Sequence, residues 1–160
     1  MKLLILGHAR HGKDSVAEIL RDLHGISFIS SSLAACALVV FPVVSERYET
    51  IEECFADRAN HRAEWHQLIC DYNYPNKSKL AKEILETNDC YVGMRCVEEY
   101  EASKHLFDFV LWVDASKRLP LEPISSMTIE KDDGMIVIEN NTSYRNLVRQ
   151  VKRTYAELSS

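Results

Sequence analysis

The chain has 160 residues, 46% of them hydrophobic and 27% charged, with a formal net charge of −5. This composition is typical of a globular domain and excludes collagen-like, low-complexity and disordered proteins, while the acidic average favours a small substrate over nucleic acid. No apolar run approaches the roughly 18 residues of a membrane span, and the cysteines show no metal-ligand spacing, so we expect one cytoplasmic domain over residues 1–160, with reduced thiols and no membrane partner.

Hydrophobic periodicity predicts strands and helices that alternate along the chain. Strands are predicted at residues 2–6, 26–29, 89–92, 107–113 and 135–138, and helices at residues 14–24, 33–41, 50–72, 77–87, 97–105 and 142–158. Residues 117–134 are predicted as a loop that contains at most a short strand. This alternation is typical of a three-layer α/β fold, in which a five-stranded parallel sheet carries helices on both faces. The carboxyl ends of the strands then meet at one edge, where we expect the active site.

The turn between the first strand and the first helix carries the most specific motif. It reads Gly7-His8-Ala9-Arg10-His11-Gly12-Lys13-Asp14-Ser15 and matches G-x-x-x-x-G-K, a loop that wraps phosphate. Glycines let backbone N–H groups approach phosphate oxygens, the helix N-terminus adds positive partial charge, and the lysine supplies a mobile cation. We therefore predict that this loop binds ATP together with Mg²⁺. The alternative is a glycine-rich turn with a solvated lysine.

Two carboxylates at the predicted strand edge are candidate magnesium ligands. Asp14 stands where the motif usually has a hydroxyl residue. It is a candidate to hold Mg²⁺ with Ser15, to act as a general base, or only to neutralise the positive end of the helix dipole. Asp114 ends the most apolar strand and is a further candidate for the Mg²⁺ shell, with capping of the turn at Ala115 and Ser116 as its alternative.

Polar residues that follow other strands are candidates for ligand binding. Arg95 comes just after the third strand, and we expect its planar fork to grip a phosphate of the acceptor. Its alternative is an ion pair with Glu98 or Glu99. Ser31 belongs to a serine run and either binds the acceptor or caps the next helix. Asn140 follows the last strand and either borders the adenine pocket or serves in the turn.

A charged helical region between the second and third strands is the other candidate for acceptor binding. We expect a helical insertion over residues 45–88. Within the helix predicted at residues 50–72, Arg58, Arg62 and Trp65 lie at spacings that share a face. Such a face suits a phosphate and a stacked base. The alternative is a solvated helix with Trp65 in the core.

Three segments resemble bacteriophage deoxynucleoside monophosphate kinases. They are the loop ending in Gly12-Lys13-Asp14-Ser15, the strand end Val92-Gly93-Met94-Arg95 with Glu98 or Glu99 after it, and Ile138-Glu139-Asn140-Asn141-Thr142 before the last helix. The resemblance implies a P-loop NTPase fold. It also implies that Arg118, near the position of a lid arginine, contacts the ATP phosphates.

These observations predict a kinase that moves the γ-phosphoryl group of ATP to a deoxynucleoside monophosphate, with Lys13, Asp14, Arg95 and Arg118 as its catalytic set. An alternative acceptor is the hydroxyl of 5-hydroxymethyluracil in phage DNA, which related P-loop kinases phosphorylate and which would make DNA a partner. A non-catalytic nucleotide-binding module is disfavoured, because the guanine-reading Asn-Lys-x-Asp is absent from the sequence. We leave a homodimer open.

Overall fold

Five short strands form one parallel sheet in the computed structural model, which describes residues 1–160. The strands are β1 (Leu3–Leu6), β2 (Phe28–Ser30), β3 (Cys90–Val92), β4 (Phe109–Asp114) and β5 (Ile136–Glu139). Their order is β2-β3-β1-β4-β5, and every neighbouring pair is parallel. The predicted five-stranded parallel sheet is confirmed. Because β1 lies in the middle, the loops after β3 and β4 flank the loop that follows it.

Helices connect the strands. They are α1 (Lys13–His24), α2 (Ser31–Ala35), α3 (Phe41–Val44), α4 (Ile51–Ala56), α5 (Arg62–Tyr72), α6 (Lys79–Thr87), α7 (Val97–Ser103) and α8 (Tyr144–Ser159). A π-helical turn covers Cys36–Val40, and 3₁₀ turns cover Ser45–Arg47, Arg58–His61 and Lys104–Leu106. None of these helices combines the length and the apolar character needed to cross a bilayer.

Side chains of β1 alternate between two hydrophobic cores. Leu3 and Ile5 pack with α1 and α8 in a core of 14 buried residues. Leu4 and Leu6 pack on the other face in a core of 21 buried residues, with the helices between β2 and β4. Each β1 side chain is fully buried, as a central parallel strand requires. The predicted three-layer arrangement is therefore present, and it fixes the position of the loop that leaves β1.

The helix predicted at residues 33–41 is longer and less regular. Helical conformation runs over residues 31–44, with the π turn Cys36–Val40 just before the last segment. Pro42 has no N–H, and in a regular α-helix its ring crowds the carbonyl four residues earlier. A π turn is wider, because its N–H groups bond to the carbonyl five residues earlier. The chain therefore continues as a helix past a proline that the sequence places near its end.

The single helix predicted over residues 50–72 is interrupted in its middle. Between α4 and α5 the chain forms the 3₁₀ turn Arg58–His61. The Asp57 carboxylate holds this break, because it accepts hydrogen bonds from the Tyr48 hydroxyl at 2.7 Å and the Asn60 amide at 2.6 Å. Short polar side chains commonly compete with helix continuation in this way. Arg58 therefore lies outside the helix that carries Arg62 and Trp65, and the single helical face expected for the three residues is interrupted.

The loop predicted at residues 117–134 contains no strand, and it is anchored at both the core and the sheet edge. Met127 and Ile129 are buried in the larger core. The Thr128 N–H donates to the Arg95 carbonyl at 3.0 Å. This anchoring keeps the segment after β4 beside the residues that follow β3.

Candidate functional site

The loop from Gly7 to Ser15 leaves β1 and enters α1 with a backbone that only glycine permits at two points. Gly7 has φ +148°, and a Cβ there would lie 2.6 Å from the Val113 carbonyl oxygen of β4. Gly12 has φ +104°, and a Cβ there would lie 2.4 Å from the side-chain nitrogen of Asn140. Both glycines are thus required by close contacts as well as by conformation.

The Lys13 side chain folds back over this loop. Its Nζ donates to the carbonyl oxygens of Gly7 at 2.9 Å and His8 at 3.0 Å. Burial and the charge of Arg95 lower the pKa of Lys13. Beside it lies a cleft of about 250 Å³, lined by five residues of the loop and none of them hydrophobic: Arg10, Gly12, Lys13, Asp14 and Ser15. The arrangement suits a polar, anionic ligand.

Two histidines of the loop fasten residues 115–122, which we call the cover segment. His11 is buried, and its Nδ1 accepts from the Ala115 N–H at 3.1 Å. Its Nε2 therefore carries the proton and donates to the Pro120 carbonyl at 3.0 Å. His8 Nδ1 accepts from the Glu122 N–H at 3.0 Å, and burial together with His11 lowers the pKa of His8. The sequence motif places both residues in a phosphate loop but assigns no role to their rings.

Asn140 is hydrogen-bonded to the backbone of the loop. Its buried side-chain amide donates to the His11 carbonyl at 2.9 Å, and its backbone N–H donates to the Asp114 carbonyl at 2.7 Å. Arg118 Nε in turn donates to the Asn140 carbonyl at 2.7 Å. The sequence predicts Asn140 at the adenine pocket or in a turn, and the structure places it against the loop backbone. The expected contact of Arg118 with ATP phosphates stays a prediction.

Arg95 lies opposite the loop, at the end of β3. Its guanidinium pairs with the Glu122 carboxylate, whose other oxygen accepts from the Ala9 N–H at 2.8 Å. The sequence offers Glu98 or Glu99 as the ion-pair partner of Arg95, and the structure shows a different partner. Glu98 accepts from the Cys96 thiol and Glu99 from the Tyr91 hydroxyl instead. Helical spacing identifies only nearby partners, and Glu122 comes from the loop after a different strand.

The Glu122 carboxylate is ionised in this arrangement. Burial disfavours its charge, but the hydrogen bond and charge of Arg95, the Ala9 N–H and the charge of Lys13 outweigh that effect, so its pKa lies below the ordinary value. Nothing in the sequence points to Glu122 as part of a site. No motif surrounds it, and its flanking prolines, Pro120 and Pro123, indicate only a loop.

The candidate magnesium ligands lie at the end of the loop and at the end of β4. Asp14 is exposed in the first turn of α1, and with Ser15 it lines the polar cleft. Mg²⁺ prefers oxygen ligands and usually takes one or two from the protein and the rest from phosphates and water. Asp14 and Ser15 fit that donor set. Asp114 accepts from the Ser116 N–H at 2.7 Å, as expected of a turn cap, and this bond lowers the pKa of Asp114.

Ser31 reaches the end of β3 beside the loop. Its hydroxyl donates to the Gly93 carbonyl at 3.1 Å. A Cβ on Gly93 would lie 3.1 Å from this hydroxyl and 3.8 Å from Cε of Lys13. Ser31 is therefore close to the lysine, while the neighbouring Ser30 caps α2 by accepting from the Leu33 N–H.

The predicted cluster of Arg58, Arg62 and Trp65 does not form as expected. Trp65 is buried in the larger core, so its ring does not offer a face for a base. Arg58 lies in the 3₁₀ turn, donates to the Phe55 carbonyl at 2.9 Å, and stacks over the Phe55 ring at 4.0 Å. Arg62 is exposed at the start of α5. The break at residue 57 separates Arg58 from Arg62 and Trp65, which remain three positions apart on α5.

Comparison with solved structures supports the fold. The protein TT1252 from Thermus thermophilus is 16% identical and aligns over 100% of this chain and 98% of its own, with a TM-score of 0.54. A dephospho-CoA kinase from Campylobacter jejuni is 15% identical and aligns over 99% of this chain and 98% of its own, with a TM-score of 0.53. No protein-family model and no curated protein matches the sequence. The chain thus shares its overall fold with both proteins, and the predicted α/β fold with a five-stranded parallel sheet is confirmed.

Proposed function

We propose that this protein is an ATP-dependent kinase that transfers the γ-phosphoryl group to a nucleotide-type acceptor, a deoxynucleoside monophosphate. The observation that carries the proposal is the convergence of cations from two neighbouring strand ends. Lys13 folds over the loop after β1, and Arg95 from the end of β3 reaches a carboxylate bound to the same loop. A donor and an acceptor phosphate need such a cationic meeting point.

The loop and the lysine provide the donor half of the proposed reaction. Backbone N–H groups of residues 7–13 and the N-terminus of α1 would hold the triphosphate, and Lys13 would neutralise charge that develops on the transferred group. Asp14 and Ser15 would hold Mg²⁺, which when bound supplies further neutralisation of the phosphate oxygens. Asn140 would keep the loop backbone rigid through its bond to His11.

The acceptor half rests on Arg95 and Ser31. A guanidinium grips a phosphate through two parallel hydrogen bonds, and a phosphate acceptor is already ionised, so its oxygen attacks without a general base. The Ser31 hydroxyl, close to Lys13, would bind a further acceptor oxygen. The choice of a deoxynucleoside monophosphate follows the resemblance carried by Gly12-Lys13-Asp14-Ser15. The helical segment over residues 45–88 is proposed to cover the acceptor.

The proposal is tested with radiolabelled ATP and each deoxynucleoside monophosphate, beside a duplex that contains 5-hydroxymethyluracil. We expect label on a free monophosphate. Lys13→Met is expected to reduce transfer by about 10²–10³-fold, in a protein that still unfolds in one cooperative transition. Lys152→Met, on the exposed face of α8, is the matched control and should keep full transfer. Label on the duplex alone would mean that the acceptor is the modified base in DNA and not a free monophosphate. Label on neither would refute the proposal.

A further inference from the structure

We infer that the Glu122 carboxylate occupies an anion site meant for a phosphoryl group of the ligand, so that the ligand must displace this side chain in order to bind. The inference rests on the proposed function for the identity of the ligand. The site itself is defined by residues of this chain. It consists of the Ala9 N–H, the Arg95 guanidinium and the nearby charge of Lys13.

The three groups around the carboxylate are those that bind phosphate. A backbone N–H of a glycine-rich loop and a guanidinium fork are the usual partners of phosphoryl oxygens. Ala9 belongs to the loop, and Arg95 comes from the end of the neighbouring strand. The Glu122 side chain is only 11% exposed, so it fills the space between them. A carboxylate offers the same kind of acceptor oxygens as a phosphate.

The backbone of the cover segment aims this side chain at the loop. The Glu122 N–H donates to His8 at 3.0 Å, and two residues earlier the Pro120 carbonyl accepts from His11 at 3.0 Å. Both bonds come from the same loop that donates the Ala9 N–H. Glu122 is therefore held by main chain and side chain together, which a chance surface ion pair does not require.

Displacement of the Glu122 carboxylate also changes what Arg95 can bind. A phosphoryl group at the Ala9 N–H and the Glu122 carboxylate carry like charges, so they exclude each other. Once Glu122 leaves, Arg95 loses its ion pair, and the several N–H donors of its guanidinium become available to the phosphoryl group in the anion site and to the acceptor phosphate beside it. The structure thus links occupation of the loop to the readiness of the acceptor site, and it favours an order in which the nucleoside triphosphate binds first.

The test is the affinity of Glu122→Gln for Mg²⁺·ATP and for inorganic tripolyphosphate, measured by calorimetry. Glutamine keeps an oxygen for the Ala9 N–H but loses the charge. We expect binding of both probes to tighten about tenfold, the factor for a carboxylate that fills the site roughly nine-tenths of the time. Glu122→Ala should show the same direction. Glu130→Gln, exposed in the same loop, should bind as the wild type does.

The outcomes separate this inference from the proposed function. Equal or weaker binding by both Glu122 variants, with wild-type binding intact, overturns the inference and leaves the kinase proposal standing. Unchanged affinity with lost transfer also overturns it, because Glu122 would then act in the reaction itself. Tighter tripolyphosphate binding by the variants, without phosphoryl transfer by any form, supports the anion site and refutes the kinase. Failure of every form to bind either probe refutes both.

Discussion

Substitution of Gly12 by alanine should destabilise the protein through two separable effects. Gly12 has φ +104°, a conformation strained for a residue with a Cβ, and the added methyl would lie 2.4 Å from the Asn140 amide nitrogen. The strain costs about 1–3 kcal/mol. Displacement of Asn140 leaves the His11 carbonyl without its hydrogen bond, which costs a further 1–3 kcal/mol, roughly. In a domain of this size each kcal/mol lowers the melting temperature by about 2–4 °C.

Two further variants separate these effects. Gly25 caps α1 with φ +69°, and a Cβ added there would meet no heavy atom within 4 Å, so Gly25→Ala should cost only about 1–2 kcal/mol of conformational strain. Asn140→Ala removes the bond to His11 and also the obstacle to a methyl at Gly12. The double variant Gly12→Ala/Asn140→Ala should therefore be more stable than additivity predicts, by about 1–3 kcal/mol.

The measurement is urea unfolding followed by circular dichroism, with the midpoint and slope fitted for each variant. An unchanged slope shows that the free energy of unfolding itself has moved. The reasoning is refuted if Gly12→Ala costs no more than Gly25→Ala, or if the single costs add within about 0.5 kcal/mol in the double variant. Either result would mean that Asn140 does not press against the loop.

Two other predictions concern ionisation and thiol access. Burial raises the pKa of Glu99, so the folded protein holds the carboxyl proton of Glu99 more tightly than the unfolded chain does. The folded state therefore loses stability as pH rises from the pKa of Glu99 in the unfolded chain through its raised pKa in the folded protein. Glu99→Gln, which still accepts the Tyr91 hydroxyl, should raise the melting temperature at about pH 8 but not at about pH 3, compared with Glu86→Gln; no gain at the higher pH contradicts this. Cys70 and Cys96 are exposed and the other thiols buried, so a thiol reagent should label these two in the folded protein and the rest only after unfolding; rapid labelling of a third thiol would contradict that burial.

The positions of the strands in the chain could be predicted from the sequence, because each strand has a local hydrophobic pattern. The apolar run of β1 and the glycine–lysine turn after it predict a buried parallel strand and a tight strand-to-helix loop, and both are present, while binding of phosphate by that loop stays a prediction. The break near Asp57 could not be predicted, because it depends on a hydrogen bond from the hydroxyl of Tyr48, nine positions earlier in the chain. The π turn before Pro42 likewise depends on how packing accommodates a ring that, by propensity alone, ends a helix.

In the candidate site, too, only the features that depend on local sequence could be predicted. The position of Arg95 after a strand could be predicted from the sequence, but its partner could not, because Glu122 lies 27 residues away in a loop without a periodic pattern. The buried ring of His11 and the amide of Asn140 act through contacts 104 and 129 residues apart in the chain. Such contacts depend on the order of the strands, which composition and spacing do not specify.

That strand order has an evolutionary consequence. The segments on the two sides of the glycine–lysine loop belong to separate stretches of polypeptide, one after β3 and one after β4. The segment after β4 is hydrogen-bonded to the turn that follows β1 through His8 and His11, and it buries Met127 and Ile129 in the larger core. We therefore expect this turn and residues 115–122 to evolve together, so that a replacement in one of them is tolerated only when the other still supplies its hydrogen-bond partner.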